Sequence, residues 1–124
     1  MSKKEYVTWE QVESFVNDIS AEGGDYTGVY GLPRGGLVLA VMFSNKMKIP
    51  MLMSPAPGCL IVDDICDTGE SLLHYVNNSS GEMRQDYTIA TMYYKENKLG
   101  IVPNMFKYFK EDKWIVFPWE MEEK

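Results

Sequence analysis

Asp63, Asp64 and Asp67 crowd into a stretch, Cys59 to Ser71, that reads C-L-I-V-D-D-I-C-D-T-G-E-S. An ionised carboxylate only accepts hydrogen bonds, so an adjacent pair suits the paired hydroxyls of a ribose. Asp67-Thr68-Gly69-Glu70-Ser71 then forms a tight turn rich in hydroxyls. Leu72, Leu73 and Val76 follow at helical spacing, so the turn should open a helix. Its free N–H groups and positive dipole end would face an anion. Acidic pair, hydroxyl turn and helix start together describe a holder for a phosphorylated sugar. Glu70 is the exception, because its charge disfavours a nearby phosphate unless the side chain points into solvent. The plainer alternative is a buried strand whose aspartates cap the next turn.

A second anion-binding candidate lies upstream, at Gly31-Leu32-Pro33-Arg34-Gly35-Gly36. Glycines in a strand-to-helix loop let backbone approach a ligand closely. In isolation such a loop is often an ordinary turn carrying a surface arginine. Lys95 follows a strand candidate directly, at the carboxyl end where open α/β sheets bind ligands; a solvated lysine is the competing reading. Trp114 offers an indole face suited to a flat heteroaromatic ring, or simply anchors an edge strand. His74, the sole histidine, has no acidic or nucleophilic neighbour in sequence and reads as a packed or solvated helix position. Cys59 and Cys66 have no zinc-like companions and read as reduced thiols.

These residues need a scaffold, and its elements alternate. Thr8-Trp9-Glu10-Gln11 has capping-box spacing, and Val12, Phe15, Val16 and Ile19 extend an amphipathic helix from Trp9 to Ser20. Ala21 to Asp25 should end it. Tyr26 to Tyr30 predicts a strand, and Leu37 to Met47 a helix too apolar for one narrow stripe, hence largely buried. Ile49 to Met53 predicts a second strand, joined by Ser54-Pro55-Ala56-Pro57-Gly58 to the strand that begins at Leu60. Ser71 to Val76 should be a short helix ended by Asn77-Asn78-Ser79-Ser80-Gly81. Tyr87 to Tyr94 favours extended structure. Leu99 to Lys113 has no clean period and contains Pro103, so it reads as an irregular excursion, with aromatics that pack. The order implies α/β architecture: an open, mostly parallel sheet with helices on both faces.

Length and charge narrow the classes. A chain of 124 residues accommodates one domain with a real core. Its net charge of −6 argues against nucleic-acid binding, though not against a small phosphorylated substrate. No apolar run approaches a membrane span, and the start lacks a signal-peptide h-region, so a cytoplasmic protein with no membrane partner is expected.

Asp63 to Ser71 resembles the ribose-phosphate motif of type I phosphoribosyltransferases, an acidic pair followed by D-T-G-x-S/T. Arg34-Gly35-Gly36 resembles that family's diphosphate loop, with Pro33 where the purine enzymes often have Ser. Tyr6-Val7-Thr8-Trp9 and Trp114-Ile115-Val116-Phe117-Pro118-Trp119-Glu120-Met121 are similar to the opening and ending of the bacterial xanthine-guanine enzymes. The resemblance spans Tyr6 to Met121 and departs at Ser54 to Gly58. There the family usually carries a long flexible hairpin that covers the site, and five residues cannot form such a lid.

The resemblance implies a type I fold in a single domain spanning residues 1–124, with a small hood from residues 1–8 and 95–124. It implies transfer of 5-phosphoribosyl from phosphoribosyl diphosphate (PRPP) to a 6-oxopurine, with Mg2+ as cofactor. Asp67 would be the base near the purine N7, and Asp63 and Asp64 would hold the ribose hydroxyls and, directly or through water, the metal. Arg34, Gly35 and Gly36 would bind diphosphate, and Thr68, Gly69, Glu70 and Ser71 would surround the 5′-phosphate. Lys95 would meet the purine O6, Trp114 would stack on the base, and the Ile115 backbone would read its edge. A homodimer is expected. The missing lid keeps open a regulatory protein that binds nucleotide or PRPP without efficient transfer; a related transferase or hydrolase for a different base or nucleotide is the third reading.

Overall fold

The computed structural model describes residues 3–77 and 87–120. In chain order the elements are β1 (Lys4–Tyr6), α1 (Trp9–Ala21), β2 (Val29–Gly31), α2 (Gly35–Met47), β3 (Leu60–Cys66), α3 (Glu70–Asn77), β4 (Thr88–Tyr94), β5 (Met105–Phe109) and β6 (Trp114–Val116). A four-stranded sheet runs β2-β3-β4-β5, and β1 pairs with β6 in a separate two-stranded sheet. Every pairing is parallel. The architecture is α/β with helices on both faces of the larger sheet.

Helix α1 begins where its capping box directs. The Gln11 N–H donates to the Thr8 hydroxyl at 3.1 Å, and the Thr8 N–H donates back to the Gln11 side chain at 2.9 Å. Val12, Phe15, Val16 and Ile19 are buried, and Phe15 meets Phe43 of α2 edge-on at 5.8 Å. Helix α2 starts at Gly35, two residues before the expected Leu37, and buries Gly36, Leu39, Ala40 and Phe43. It is not buried all round: Leu37 and Val41 are 44% and 47% exposed. Its apolar residues exceed what one sheet face can cover.

Strand β3 is the centre of the molecule. Leu60, Val62 and Ile65 pack with the α1/α2 core, whereas Cys59, Ile61 and Cys66 pack on the opposite face with Leu72 of α3. A regular strand keeps a period of two, so the alternation changes phase at Asp63-Asp64. Strand β4 changes phase opposite it: Ala90, Met92 and Tyr93 all face the α1/α2 core, and Tyr94 faces away. Between Asp63↔Thr91 and Ile65↔Tyr93 the register carries no Asp64 pairing.

Two expectations are corrected. Ile49 to Met53 is not a strand of the sheet. Only Met51 makes an isolated parallel bridge to Val29, held by Val29 N–H to Pro50 C=O (2.9 Å) and Leu52 N–H to Val29 C=O (2.8 Å). Pro50 cannot donate, and Pro55 and Pro57 follow, so the ladder stops. Conversely, Leu99 to Lys113 is not wholly irregular, because it contains β5. Pro103 precedes that strand, and Phe106 and Phe109 cluster with Tyr94 of β4. The first strand also begins later than Tyr26, at Val29. The expected helix-ending residues 78–81 and the Met121 end of the tail lie outside the described residues.

Beta strands β1 and β6 form a flap beside the larger sheet, in register Lys4↔Trp114 to Tyr6↔Val116. Glu5 ties them to β4: the Tyr93 hydroxyl donates to one carboxylate oxygen at 2.7 Å and Lys113 to the other at 2.8 Å. These bonds hold the Glu5 carboxyl below its usual range, with the Lys113 bond foremost and that of Tyr93 next. Phe117 stacks on Trp119, which meets Trp9 of α1 at 5.9 Å.

The approach of α2 to the sheet requires glycine. A Cβ on Gly31 would lie 2.2 Å from the Gly36 carbonyl oxygen, and one on Gly36 would lie 2.6 Å from that of Val62. Neither neighbour is a flexible side chain. Gly31→Ala is therefore expected to lower stability by about 1–3 kcal/mol, as overpacking does, measured by urea unfolding. An unchanged midpoint would show that the helix start does not bear on β2.

Candidate active site

The carboxyl ends of β2, β3, β4 and β5 lie side by side and deliver Pro33 to Gly36, Asp63 to Asp67, Lys95 and Lys110. The Leu32 N–H donates to the Val62 carbonyl at 3.0 Å, so the glycine loop leaves the sheet directly beside the acidic pair. Contact there is tight: a Cβ on Gly35 would lie 2.0 Å from Asp64 Oδ2. Arg34 is the exposed N-cap residue of α2, without a side-chain cap, and the Pro33–Arg34 peptide bond is cis. The loop thus presents backbone and one cation beside two carboxylates.

Asp63 is 6% exposed. Its Oδ1 accepts the Asp64 N–H at 2.8 Å, and Asp64 Oδ1 accepts the Ile65 N–H at 2.7 Å. Among the described residues neither carboxylate has an ion-pair partner. Burial, and then the charge on Asp64, push the Asp63 carboxyl well above the usual range. Burial also raises Asp64, against the hydrogen bonds it accepts, and the charge of Glu120 adds to the rise. That influence of Glu120 also shows that the chain just past β6 returns to the neighbourhood of the pair.

After β3 the chain enters the turn Asp67 to Gly69, where Gly69 has φ +85°. The Glu70 N–H donates to the Thr68 hydroxyl at 3.2 Å, and that hydroxyl lies 3.4 Å from Glu70 Oε2. Glu70 is exposed but leans back onto the turn rather than away from it. The turn encloses a hollow of about 70 Å³ bordered by Cys66, Asp67, Thr68 and Ser71. A larger cleft of about 650 Å³ lies between the turn and the segment Glu96 to Leu99. Asn97 fixes that segment, donating to the Ile101 carbonyl at 2.8 Å and accepting the Ile101 N–H at 3.0 Å. Ile101 in turn sits against Gly69, 2.8 Å from where its Cβ would be.

The geometry gathers the loop, the acidic pair and the Asp67–Ser71 turn. It does not gather all the purine-side candidates. Lys95 is at the end of β4 as expected, with its N–H donating to the Cys66 carbonyl at 2.8 Å, but its ammonium faces Asp112 at 3.3 Å. Trp114 stands 63% exposed at the start of β6, and Ile115 is buried with the α1/α2 core. Two residues went unnoticed in the sequence. Lys110 pairs with Asp67 at 3.2 Å, and Asn97 builds the cleft wall. Asn97 sits three residues before Gly100, a turn signal; Lys110 carried none, since it follows a strand that the aromatic spacing concealed. Cys66 is buried, its thiol pushed up to about 11 mainly by burial, and Cys59 is buried too.

Could these residues hold a divalent cation? No group of three or more His, Cys, Asp or Glu suited to a metal occurs among the described residues. Two buried carboxylates without a cationic partner fit a hard cation that keeps its waters and takes further oxygens from a phosphorylated substrate, as Mg2+ does. They do not fit a dedicated all-protein cage.

The comparisons bear on this geometry. No protein-family model matches the chain. A curated xanthine-guanine phosphoribosyltransferase of Nitratidesulfovibrio vulgaris (strain Hildenborough) is 28% identical over 142 aligned positions, covering 94% of this chain and 84% of that one. A solved purine phosphoribosyltransferase from Pyrococcus horikoshii superposes with a TM-score of 0.82 at 25% identity, covering 98% of this chain and 97% of the other. The fold is that of the type I phosphoribosyltransferases. The Helicobacter pylori xanthine-guanine-hypoxanthine phosphoribosyltransferase shares this fold at a TM-score of 0.74 and 19% identity, covering 94% and 93% of the two chains. The Pyrococcus chain and this one match over nearly the whole length of each.

Two outcomes follow for the candidate site. A buried acid with a raised native pKa stabilises the fold below the ordinary carboxylate range, near pH 4, and that contribution is lost as pH rises through the raised value. In metal-free buffer, wild-type stability should therefore fall as pH increases above about 4, and Asp63→Asn should flatten the fall, read by urea unfolding across the range. An unchanged slope in the variant would mean that Asp63 is not the source. Separately, Glu70→Gln removes the charge leaning on the turn and should tighten PRPP binding by about 5-fold, the effect of roughly 1 kcal/mol; calorimetry showing weaker binding would give Glu70 a supporting role instead.

Proposed function

We propose that this protein is a purine phosphoribosyltransferase, moving the 5-phosphoribosyl group of PRPP to N9 of a 6-oxopurine and releasing diphosphate. The observation that carries the reading is the contact of Gly35 with Asp64, which sets an anion-binding loop against ribose-type acceptors. A PRPP molecule needs those two features side by side, because its diphosphate and its 2′ and 3′ hydroxyls belong to one ring. The curated relatives, 23–28% identical over nearly the whole chain, carry the name of that activity.

Each step follows from the chain's own groups. As the bond to diphosphate breaks, positive charge grows on the ribose and negative charge on the leaving group. The Arg34 guanidinium and the N–H groups at the start of α2 stabilise the latter. Asp63 and Asp64 accept hydrogen bonds from the ribose hydroxyls and orient the sugar, and their negative charge favours the cationic ring. Thr68, Gly69 and Ser71 hold the 5′-phosphate at the start of α3. Asp67 moves a proton at the purine N7 side as the base becomes a nucleophile at N9. Asp63 and Asp64 would hold Mg2+, which supplies charge neutralisation to the diphosphate when bound. Trp114 would cover the base, and Ile115 would offer backbone groups to its edge.

The regulatory alternative rested on the short connection Ser54–Gly58. The match to the Pyrococcus horikoshii purine phosphoribosyltransferase over 97% of that chain supports transfer over it. A cytoplasmic homodimer belongs to the same reading: no helix among the described residues is long and apolar enough to cross a membrane, and exposed Leu37, Val41 and Met53 offer apolar surface to a second subunit.

Incubation with Mg2+, PRPP and guanine, hypoxanthine, xanthine or adenine, followed by chromatography, should give nucleotide from the oxopurines. Asp67→Asn should lower turnover by about 100-fold or more, within the range of general acid–base catalysis, and leave PRPP affinity unchanged. An equally active variant would remove Asp67 as the base, and no product from any purine would overturn the transfer reading.

A further inference from the structure

Gly69 lies at the centre of the Asp67–Ser71 turn with φ +85°, and glycine is the residue with the most backbone freedom to lose. What bears on it comes from the segment after β4. A Cβ on Gly69 would lie 2.8 Å from Ile101 Cγ1, 2.9 Å from Ile101 Cβ and 3.2 Å from Asn97 Oδ1. The turn thus leans its bare glycine on two side chains far along the chain.

Asn97 holds that support in place. The Gly100 N–H donates to the Asn97 carbonyl at 3.2 Å and Gly100 takes φ +68°, so residues 97–100 reverse the chain. The Asn97 side chain closes the reversal. Its Oδ1 accepts the Ile101 N–H at 3.0 Å, while its Nδ2 donates to the Ile101 carbonyl at 2.8 Å and to the Lys95 carbonyl at 3.2 Å. Only a side-chain amide supplies an acceptor and two donors at that reach; a carboxylate would accept alone. The Cys66 thiol reaches the same Ile101 carbonyl at 3.6 Å, and Ile101 packs against the core that contains Cys66 and Leu72. The segment is therefore fastened to β3 and α3, the two elements that the turn joins.

We propose that Asn97 is a positioning residue for the 5′-phosphate, acting through Ile101 on Gly69 without touching the substrate. The inference deepens the function proposed above and rests on the Asp67–Ser71 turn holding that phosphate. Backbone N–H groups bind a phosphate when they converge on one point, and convergence depends on the dihedral angles of the turn. Fixing those angles before the ligand arrives lowers the ordering cost of binding. The requirement is strong here because Glu70 leans on the turn and its charge opposes an incoming phosphate. The anion itself is then a poor agent for drawing the turn into shape. Diphosphate is assigned to Arg34 and the start of α2, at a different strand end. Loss of Asn97 is therefore expected to separate the two anionic ends of PRPP.

The test is calorimetric titration of wild type, Asn97→Ala, Ile101→Ala and Ile101→Val with ribose 5-phosphate and, in Mg2+, with inorganic diphosphate. Asn97→Ala should weaken ribose 5-phosphate by about 5- to 10-fold, the effect of one or two lost hydrogen bonds, and leave diphosphate unchanged. Ile101→Ala should show the same selective loss. Ile101→Val keeps Cβ and Cγ1, the atoms nearest Gly69, and should bind as wild type does. An asparagine that merely supported the fold would not tell the two anions apart. Unaltered ribose 5-phosphate affinity in Asn97→Ala overturns the proposal, as does an equal loss of diphosphate binding. A selective loss that Ile101→Ala does not share overturns the route through Ile101. Should Asn97→Ala fail to fold, Asn97→Ser replaces it under the same criteria. Binding is read without turnover, so a wild type that forms no product yet shows the Asn97-dependent selectivity would refute transfer and leave this assignment standing. A wild type that binds no ribose 5-phosphate would overturn the assignment of the turn and this inference with it.

Discussion

Two adjacent carboxylates within the central strand, Asp63 buried and Asp64 half-buried, are the constraint around which this molecule is arranged. Taking like charges out of water is unfavourable, and Asp63 and Asp64 have no cationic partner among the described residues to offset it. The surrounding structure accepts this in a specific way. The strand alternation shifts phase at the pair, each carboxylate accepts an adjacent backbone N–H, and the glycine loop packs against Asp64 with no side chain between. A site optimised for stability would not look like this. One awaiting a polyhydroxylated, cation-associated ligand would, since the ligand supplies the missing donors and charge.

The second dependency is mechanical. The sheet that holds the acids and the flap that carries Trp114 share no strand pairing. They are joined through Glu5, which bonds Tyr93 of β4 and Lys113 beside β6 at once, and through aromatic packing of Phe117 and Trp119 near Trp9. A single carboxylate bridging a buried tyrosine and a lysine is a directional link, and it lies two residues from Lys95 along β4. The position of the tryptophan relative to the acidic centre is thus set by contacts between residues distant in sequence.

Water exclusion must be achieved without a long hairpin. The connection after α2 is pinned instead: Lys48 ends the helix in the left-handed region, Thr27 bonds to the Pro57 carbonyl, and Met51 bridges to Val29. What cover the described chain has comes from the Glu96–Ile101 segment, stapled by Asn97 over the Asp67–Gly69 turn. A hydrogen-bonded wall on one side frames the Asp67–Ser71 turn.

Much of this was legible from the chain alone, and the reason is locality. The acidic pair, the D-T-G turn, the R-G-G loop and the capping box of α1 each act through residues within a few positions of one another, so type and spacing determine them. The apolar run Leu60-Ile61-Val62 marked β3 for the same reason, whereas the phase change at Asp63-Asp64 appeared only in the structure. Strand β5 was not, because parallel strands need no local turn signal and its pairing with β4 depends on residues about fifteen positions away. The false strand at Ile49 to Met53 shows the converse: its local propensity was adequate, but proline left the ladder without a donor. The partners of the two lysines were likewise decided only in three dimensions. By itself the sequence determined the acidic pair, the hydroxyl turn and the glycine loop that the proposed function assigns to phosphate and ribose. The tertiary structure decided which cation stands beside Asp67, because a long side chain at a strand end takes its direction from the carboxylate the fold brings within reach, half-exposed Asp67 for Lys110 and solvent-facing Asp112 for Lys95.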